Sequence, residues 1–106
     1  MSENIKNPKL LGMMGLASRA RKIVTGTEIV TEKIKSGRSV EFVIIASDVS
    51  QNTLKKVVNC CEYYEVEYGI SQFTMDEISN AVGKSCLVSA VAIVDRNFAD
   101  AIKNLV

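Results

Sequence analysis

Val40-Glu41-Phe42-Val43-Ile44-Ile45-Ala46 is a near-continuous β-branched run, the pattern of a strand covered on both faces by helices. We assign it as the central strand of the fold. Downstream, Ser47-Asp48 turns the chain, and Ser50 or Asp48 caps a third helix carrying Leu54, Val57, Val58 and Cys61. Val66-Glu67-Tyr68-Gly69-Ile70 reads as the next strand. Thr74 and Glu77 have capping-box spacing and open a short helix that closes at Gly83. Leu87 to Val94 is a second buried strand, and Asn97 to Leu105 a terminal helix. Upstream, Asn7-Pro8 starts a helix, because proline at the first helical position loses nothing by lacking an N–H. Leu10, Leu11, Met14 and Ala17 recur on one face of that helix. Lys22 to Thr25 is a short extended piece, followed by a second helix from about Thr27 to Ser36 that stops at Gly37. Ile29, Val30 and Ile34 form its apolar stripe. Strands alternating with helices make an α/β layered domain.

The 106 residues suffice for one domain with a real core, spanning 1–106. Formal net charge is +1, too small for a strong nonspecific nucleic-acid binder. That average hides an asymmetry. Through Arg38 there are 8 basic residues against 3 acidic, and in the remainder 5 against 9. If folding keeps those halves apart, one side of the protein is positive. Cys60, Cys61 and Cys86 are odd in number, and the adjacent pair does not meet disulfide geometry. Reduced cysteines packed in the core are therefore expected. With no histidine and no C-x-x-C pair, neither a zinc site nor a histidine-based triad can be assembled. No apolar run approaches the roughly 20 residues that cross a bilayer, and Ser2-Glu3-Asn4 is unlike a signal peptide. The expectation is a cytoplasmic protein without metal, cofactor or membrane association.

Gly15-Leu16-Ala17-Ser18-Arg19-Ala20-Arg21-Lys22-Ile23-Val24-Thr25-Gly26-Thr27-Glu28 sets a basic turn and a glycine beside a helix start. Thr25 and Glu28 are spaced as a capping box, so backbone donors and the positive end of the helix dipole converge near Gly26 and Thr27. Arg19, Arg21 and Lys22 stand just upstream. Such a junction suits a phosphate backbone. Lys33, Lys35 and Arg38 extend the basic character, although cations of this kind are as often a solvated face. Tyr63, Tyr64 and Tyr68 lie amid Glu62, Glu65 and Glu67, which favours packing over base stacking. Met13 and Met14 are core or interface residues.

Gly15-Leu16-Ala17-Ser18-Arg19-Ala20, Gly26, Ile34-Lys35-Ser36-Gly37, Ile44 to Thr53 and Cys61-Glu62-Tyr63-Tyr64 together resemble the kink-turn RNA-binding ribosomal protein superfamily, that of large-subunit ribosomal protein seven-Ae. Within it they resemble the bacterial YlxQ-like proteins, from about Pro8 to Ile102. The resemblance implies a three-layer α/β/α sandwich around a small mixed four-stranded sheet, and RNA binding without catalysis. In the superfamily the second helix begins with a glycine, a small residue, then asparagine and glutamate, with threonine and lysine on the next turn. Gly26, Thr27 and Thr31 match. Glu28, Ile29 and Glu32 replace the asparagine, glutamate and lysine. A carboxylate at Glu28 accepts from a guanine N–H edge but does not donate, and Glu32 weakens phosphate contact. A second contact is implied at Lys84-Ser85-Cys86-Leu87, where an apolar loop packs on an extruded base and Lys84 meets phosphate.

The functional expectation is a ribosomal-protein-like RNA binder for a folded, kink-turn-like RNA, ribosomal RNA among the candidates. The alternative is a ribonucleoprotein interaction module that has lost that readout and uses the Met13 face or the acidic later half. A nucleotide-using enzyme fits least, because Gly12-Met13-Met14-Gly15 lies inside a helix and lacks the third glycine of a dinucleotide site.

Overall fold

The computed structural model describes residues 4–5, 7–37 and 40–105. In chain order the elements are β1 (Asn4–Ile5), α1 (Pro8–Arg19), β2 (Ile23–Thr25), α2 (Thr27–Lys35), β3 (Phe42–Ile45), α3 (Gln51–Tyr63), β4 (Tyr68–Ser71), α4 (Met75–Val82), β5 (Ala90–Ile93) and α5 (Arg96–Lys103). The strands form one mixed sheet in the order β1-β4-β3-β5-β2. Four of them make the expected small mixed sheet, with β3 at its centre. The two-residue β1 adds a fifth, parallel to β4 through Asn4↔Ile70 and Ile5↔Ser71.

Strand β3 is buried at every position because its alternate side chains serve two different cores. Phe42 and Ile44 point to one face with Val91 and Ile93 of β5, meeting Leu10 and Met14 of α1, Ile78 and Val82 of α4, and Ala99 and Ile102 of α5. Val43 and Ile45 point to the other with Ala90 and Ala92, meeting Val30 and Ile34 of α2 and Val57, Cys60 and Cys61 of α3. The antiparallel register pairs Phe42 with Ile93, Val43 with Ala92 and Ile44 with Val91, so each face stays continuous across the two strands. This is the three-layer α/β/α arrangement, with α1, α4 and α5 on one side and α2 and α3 on the other.

Caps set the helix starts. The Asn7 side chain accepts from the Lys9 N–H, with Pro8 opening α1. Ser50 caps α3; Asp48 instead accepts from the Met75 N–H at the start of α4. Thr74 and Glu77 form a full capping box, and Gly83 ends α4 in the left-handed conformation. Gly15 permits the closest approach of α1 and α4: a Cβ there would lie 2.9 Å from the Ala81 carbonyl oxygen.

Strand ladders are shorter than the apolar runs that announce them. Val66 and Glu67 precede β4, and β5 begins at Ala90 rather than Leu87. Leu87 is 62% exposed, so the β-branched run marks burial for only part of its length. Cys86 is also exposed, whereas Cys60 and Cys61 are core residues as expected. Among the described residues, no helix is long and apolar enough to cross a membrane.

Candidate functional site

Helix α1 ends in a turn of the Schellman type: the Arg21 N–H donates to the Ser18 carbonyl at 3.0 Å and the Lys22 N–H to the Ala17 carbonyl at 2.9 Å. That turn places Arg21 at φ 62°, a left-handed conformation usually given to glycine. The chain then reverses into β2, whose Ile23, Val24 and Thr25 pair with Ile93, Ala92 and Val91 of β5.

Gly26 joins β2 to α2 at φ 98° and ψ 144°, a region that only glycine occupies without strain. Its N–H donates to the Ala90 carbonyl and its own carbonyl accepts from the Val30 N–H. Gly26 is therefore the N-cap residue, and no side chain caps α2. This corrects the expected Thr25–Glu28 capping box. Thr25 ends a strand, and the Glu28 carboxylate reaches sideways to Lys56 of α3, with Oε2 2.6 Å from Nζ. The hydrogen bond and charge of Lys56 hold the Glu28 carboxyl below its ordinary range, and Lys35 adds a smaller pull in the same direction.

Thr27 lies in the first turn of α2, with its hydroxyl 2.5 Å from that of Ser89. Together with the Gly26–Ala90 bond, this ties the start of α2 to the end of the 84–89 segment. The other end of that segment is anchored on α4: the Lys84 N–H donates to the Ser79 carbonyl, and the Val88 N–H to the Ser79 hydroxyl. Lys84, Ser85, Cys86 and Leu87 thus form an exposed loop held at both ends beside α2.

Between these elements runs a groove of about 310 Å³. Arg21 and Lys84 supply cations; Ile23, Val24, Thr25 and Ile29 supply its largely apolar wall; Ser18 also lines it, its hydroxyl donating to the Val82 carbonyl. Among the described residues the ion pairs are Lys56–Glu28 and Lys103–Glu67, so Arg19, Arg21, Lys22 and Lys84 remain uncompensated.

Apart from Glu28, which Lys56 holds, the residues anticipated as a site separate into three groups. Arg21 and Lys84 line the groove; Gly26 and Thr27 follow its Thr25 wall in the chain, Ser85, Cys86 and Leu87 lie in the exposed loop after Lys84, and Lys22 is exposed next to Arg21. Thr31 is only 2% exposed, and its hydroxyl donates to the Thr27 and Glu28 carbonyls, so it supports the helix and offers nothing to a ligand. Arg19 lines clefts on the other side of α1, and Lys33 is half-buried in the last turn of α2. Lys6 and Arg38, counted in the early basic excess, lie outside the described residues.

Ile29 lines the groove, a placement that the helical stripe conceals. It is 57% exposed because Val30, Thr31 and Ile34 are the positions that α2 buries. Lys56 was equally concealed, being distant from Glu28 in sequence. The expected division of charge by halves does not hold at the groove either, since Arg21 comes from the basic half and Lys84 from the acidic one.

Of the three tyrosines, Tyr68 is buried while Tyr63 and Tyr64 are exposed. Tyr63 and Tyr64 meet edge to face at 4.9 Å on the surface, and buried Tyr68 donates its hydroxyl proton to Glu62.

Comparison with known proteins places these features in context. The chain is 37% identical over 93 residues to the RNA-binding protein YlxQ of Bacillus subtilis (strain 168), spanning 88% of this chain and 90% of that one. It is 38% identical over 98 residues to the RNA-binding protein YlxQ of Enterococcus faecium, spanning 92% and 91%. A Bacillus halodurans C protein of unknown function superposes with a TM-score of 0.83 at 29% identity, covering 93% of this chain and 97% of that one. The Giardia lamblia 15.5kD RNA binding protein shares the fold, with a TM-score of 0.71 at 19% identity over 96% and 94%. The sequence profile of the ribosomal protein L7Ae/L30e/S12e/Gadd45 family matches residues 9–103, and the chain belongs to that family.

Proposed function

We propose that this protein is a noncatalytic RNA-binding protein that docks a folded, kink-turn-like RNA element against the Arg21–Lys84 groove. One observation carries the reading: uncompensated Arg21 and Lys84 share a groove with exposed Ile29, beside a helix start that no side chain caps. Relatives of similar length are RNA-binding proteins by name, which supports the same conclusion.

The division of labour follows from the chemistry. Arg21 and Lys84 neutralise phosphates, and Lys22 adds charge nearby. Gly26 has open space where a Cβ would stand, so the RNA backbone approaches the first-turn N–H groups of α2 closely. Ile29 and Leu87 offer apolar surface to an extruded base, which RNA elements with unstacked nucleotides supply. The Glu28 objection weakens once Lys56 is taken into account: the pair is locally neutral, and Oε1 remains an acceptor for a guanine N–H edge. Glu32 stays exposed one turn on and limits phosphate contact along α2.

Filter binding across a KCl series, comparing a kink-turn RNA with a straight duplex, tests the proposal. Arg21→Ala with Lys22→Ala should weaken binding and flatten the log K against log salt slope by about 0.9 per lost duplex phosphate contact. Leu87→Ala should narrow the preference for the kinked RNA while leaving that slope intact. An unchanged affinity in the double variant refutes this placement of the site. Equal binding of kinked and straight RNA removes the kink-turn element. No binding at low salt would leave the protein as an interaction module.

A further inference from the structure

A second groove, sharing no residue with the first, follows the outer face of α1 against α5. It encloses about 750 Å³. Lys9 and Arg19 stand at its two ends, Met13, Leu16 and Leu105 contribute apolar surface, and no acidic residue lines it among those described. Leu16 is 47% exposed.

Gly12 lies in the middle of this face. A Cβ there would meet nothing within 4 Å and the backbone is not left-handed, so nothing within the fold calls for glycine. Glycine inside a helix disfavours folding relative to alanine. Three positions on, Gly15 is required by the contact with α4, but Gly12 has no such partner. Its effect is to keep the floor of the groove low.

We propose that this face is a docking site for an acidic amphipathic helix of a partner protein. The occupant is argued from charge and length. A groove with a cation at each end and no described acidic lining selects carboxylates flanking an apolar stripe. Lys9 to Arg19 rises about 15 Å along α1, roughly three turns of a partner helix. Met13 and Leu16 would receive its apolar anchors, methionine adapting to their shape, and the open floor at Gly12 admits one of them against the α1 backbone.

The probe is a fluorescein-labelled amphipathic peptide of about four turns, with leucine on one face and glutamate on the other; its control has lysine for glutamate. Anisotropy and backbone amide shifts are read on the full chain. The acidic peptide should bind and shift Gly12, Met13, Leu16 and Leu105, while the basic peptide should bind roughly tenfold or more weakly. Gly12→Gln should abolish peptide binding while raising the melting temperature and leaving RNA affinity unchanged, a combination that misfolding cannot produce. Lys9→Glu with Arg19→Glu should invert the preference between the peptides. Equal binding of both peptides, shifts confined to the Arg21 groove, or insensitivity to Gly12→Gln overturns the proposal. So does a wild-type dimer that Gly12→Gln dissociates, since a second copy would then be the occupant.

Discussion

Arg21 occupies a glycine's conformation beside the groove proposed to take RNA, and replacing it with glycine separates what the fold needs from what that ligand would need. At φ 62° a residue with a Cβ carries about 1–2 kcal/mol of left-handed strain. Glycine removes that strain but adds about 0.5–1 kcal/mol of backbone entropy in the unfolded chain. The net expected gain for Arg21→Gly is about 0.5–1 kcal/mol, or about 2–8 °C in melting temperature for a domain near this size. The same substitution deletes the proposed phosphate contact, so the RNA salt slope should fall by about 0.9 on duplex or about 0.7 on single-stranded segments. Arg21→Ala keeps the strain and loses the charge; it should bind RNA as poorly as Arg21→Gly without the added stability. Glu65 provides an internal control. At φ 58° it closes α3 in a similar turn, away from the groove, so Glu65→Gly should stabilise the fold and leave RNA binding untouched. Thermal unfolding followed by circular dichroism, paired with binding across KCl, reads both quantities. If Arg21→Gly melts at or below the wild-type temperature, or keeps the full salt slope, the reasoning is wrong.

Three further outcomes are expected. Burial raises the Cys60 thiol and pushes Cys61 up to about 12, so a disulfide reagent such as Ellman's should label one thiol per native chain, Cys86, and three only after denaturation. Rapid labelling of more than one native thiol contradicts that picture. Because the folded value of Cys61 lies above its ordinary 9.0, the buried protonated thiol supports folding fully below pH 9 and loses that support as pH climbs towards 12. Urea melts of wild type and Cys61→Ala over that window should converge, and parallel curves would count against it. Gly15→Ala should destabilise the fold by about 1–3 kcal/mol through the clash with the Ala81 carbonyl, whereas an unchanged urea midpoint would show that α1 and α4 separate freely.

The layers of this fold are legible in the sequence because burial leaves a periodic mark. The Val40–Ala46 run identifies the central strand, and the Asn7-Pro8 and Thr74–Glu77 caps locate two helices. The edges are less legible. Asn4–Ile5 is too short to show any period, and Leu87 belongs to an apolar run yet points outward because the ladder begins only at Ala90. At the candidate site, local chemistry misleads where tertiary contacts compete. Glu28 has capping spacing with Thr25, but Lys56 from α3 captures its carboxylate. Thr31 has a family-matching position, but its hydroxyl turns back to its own helix. Arg21 and Lys84 share no sequence pattern at all, and it is the β2–β5 pairing with the Thr27–Ser89 bridge that makes them neighbours.

The margins of the sheet have a consequence for solution behaviour. Beyond β4 lies the two-residue β1, and beyond β5 the three-residue β2. Long flat margins recruit foreign chains through unsatisfied main-chain amides. Here the described rim presents a stranger with too few rungs to zip onto, and the apolar central strand, of the composition that favours cross-β stacking, is sealed behind them. Concentrated native protein should accordingly resist fibril formation until global unfolding releases Phe42–Ile45.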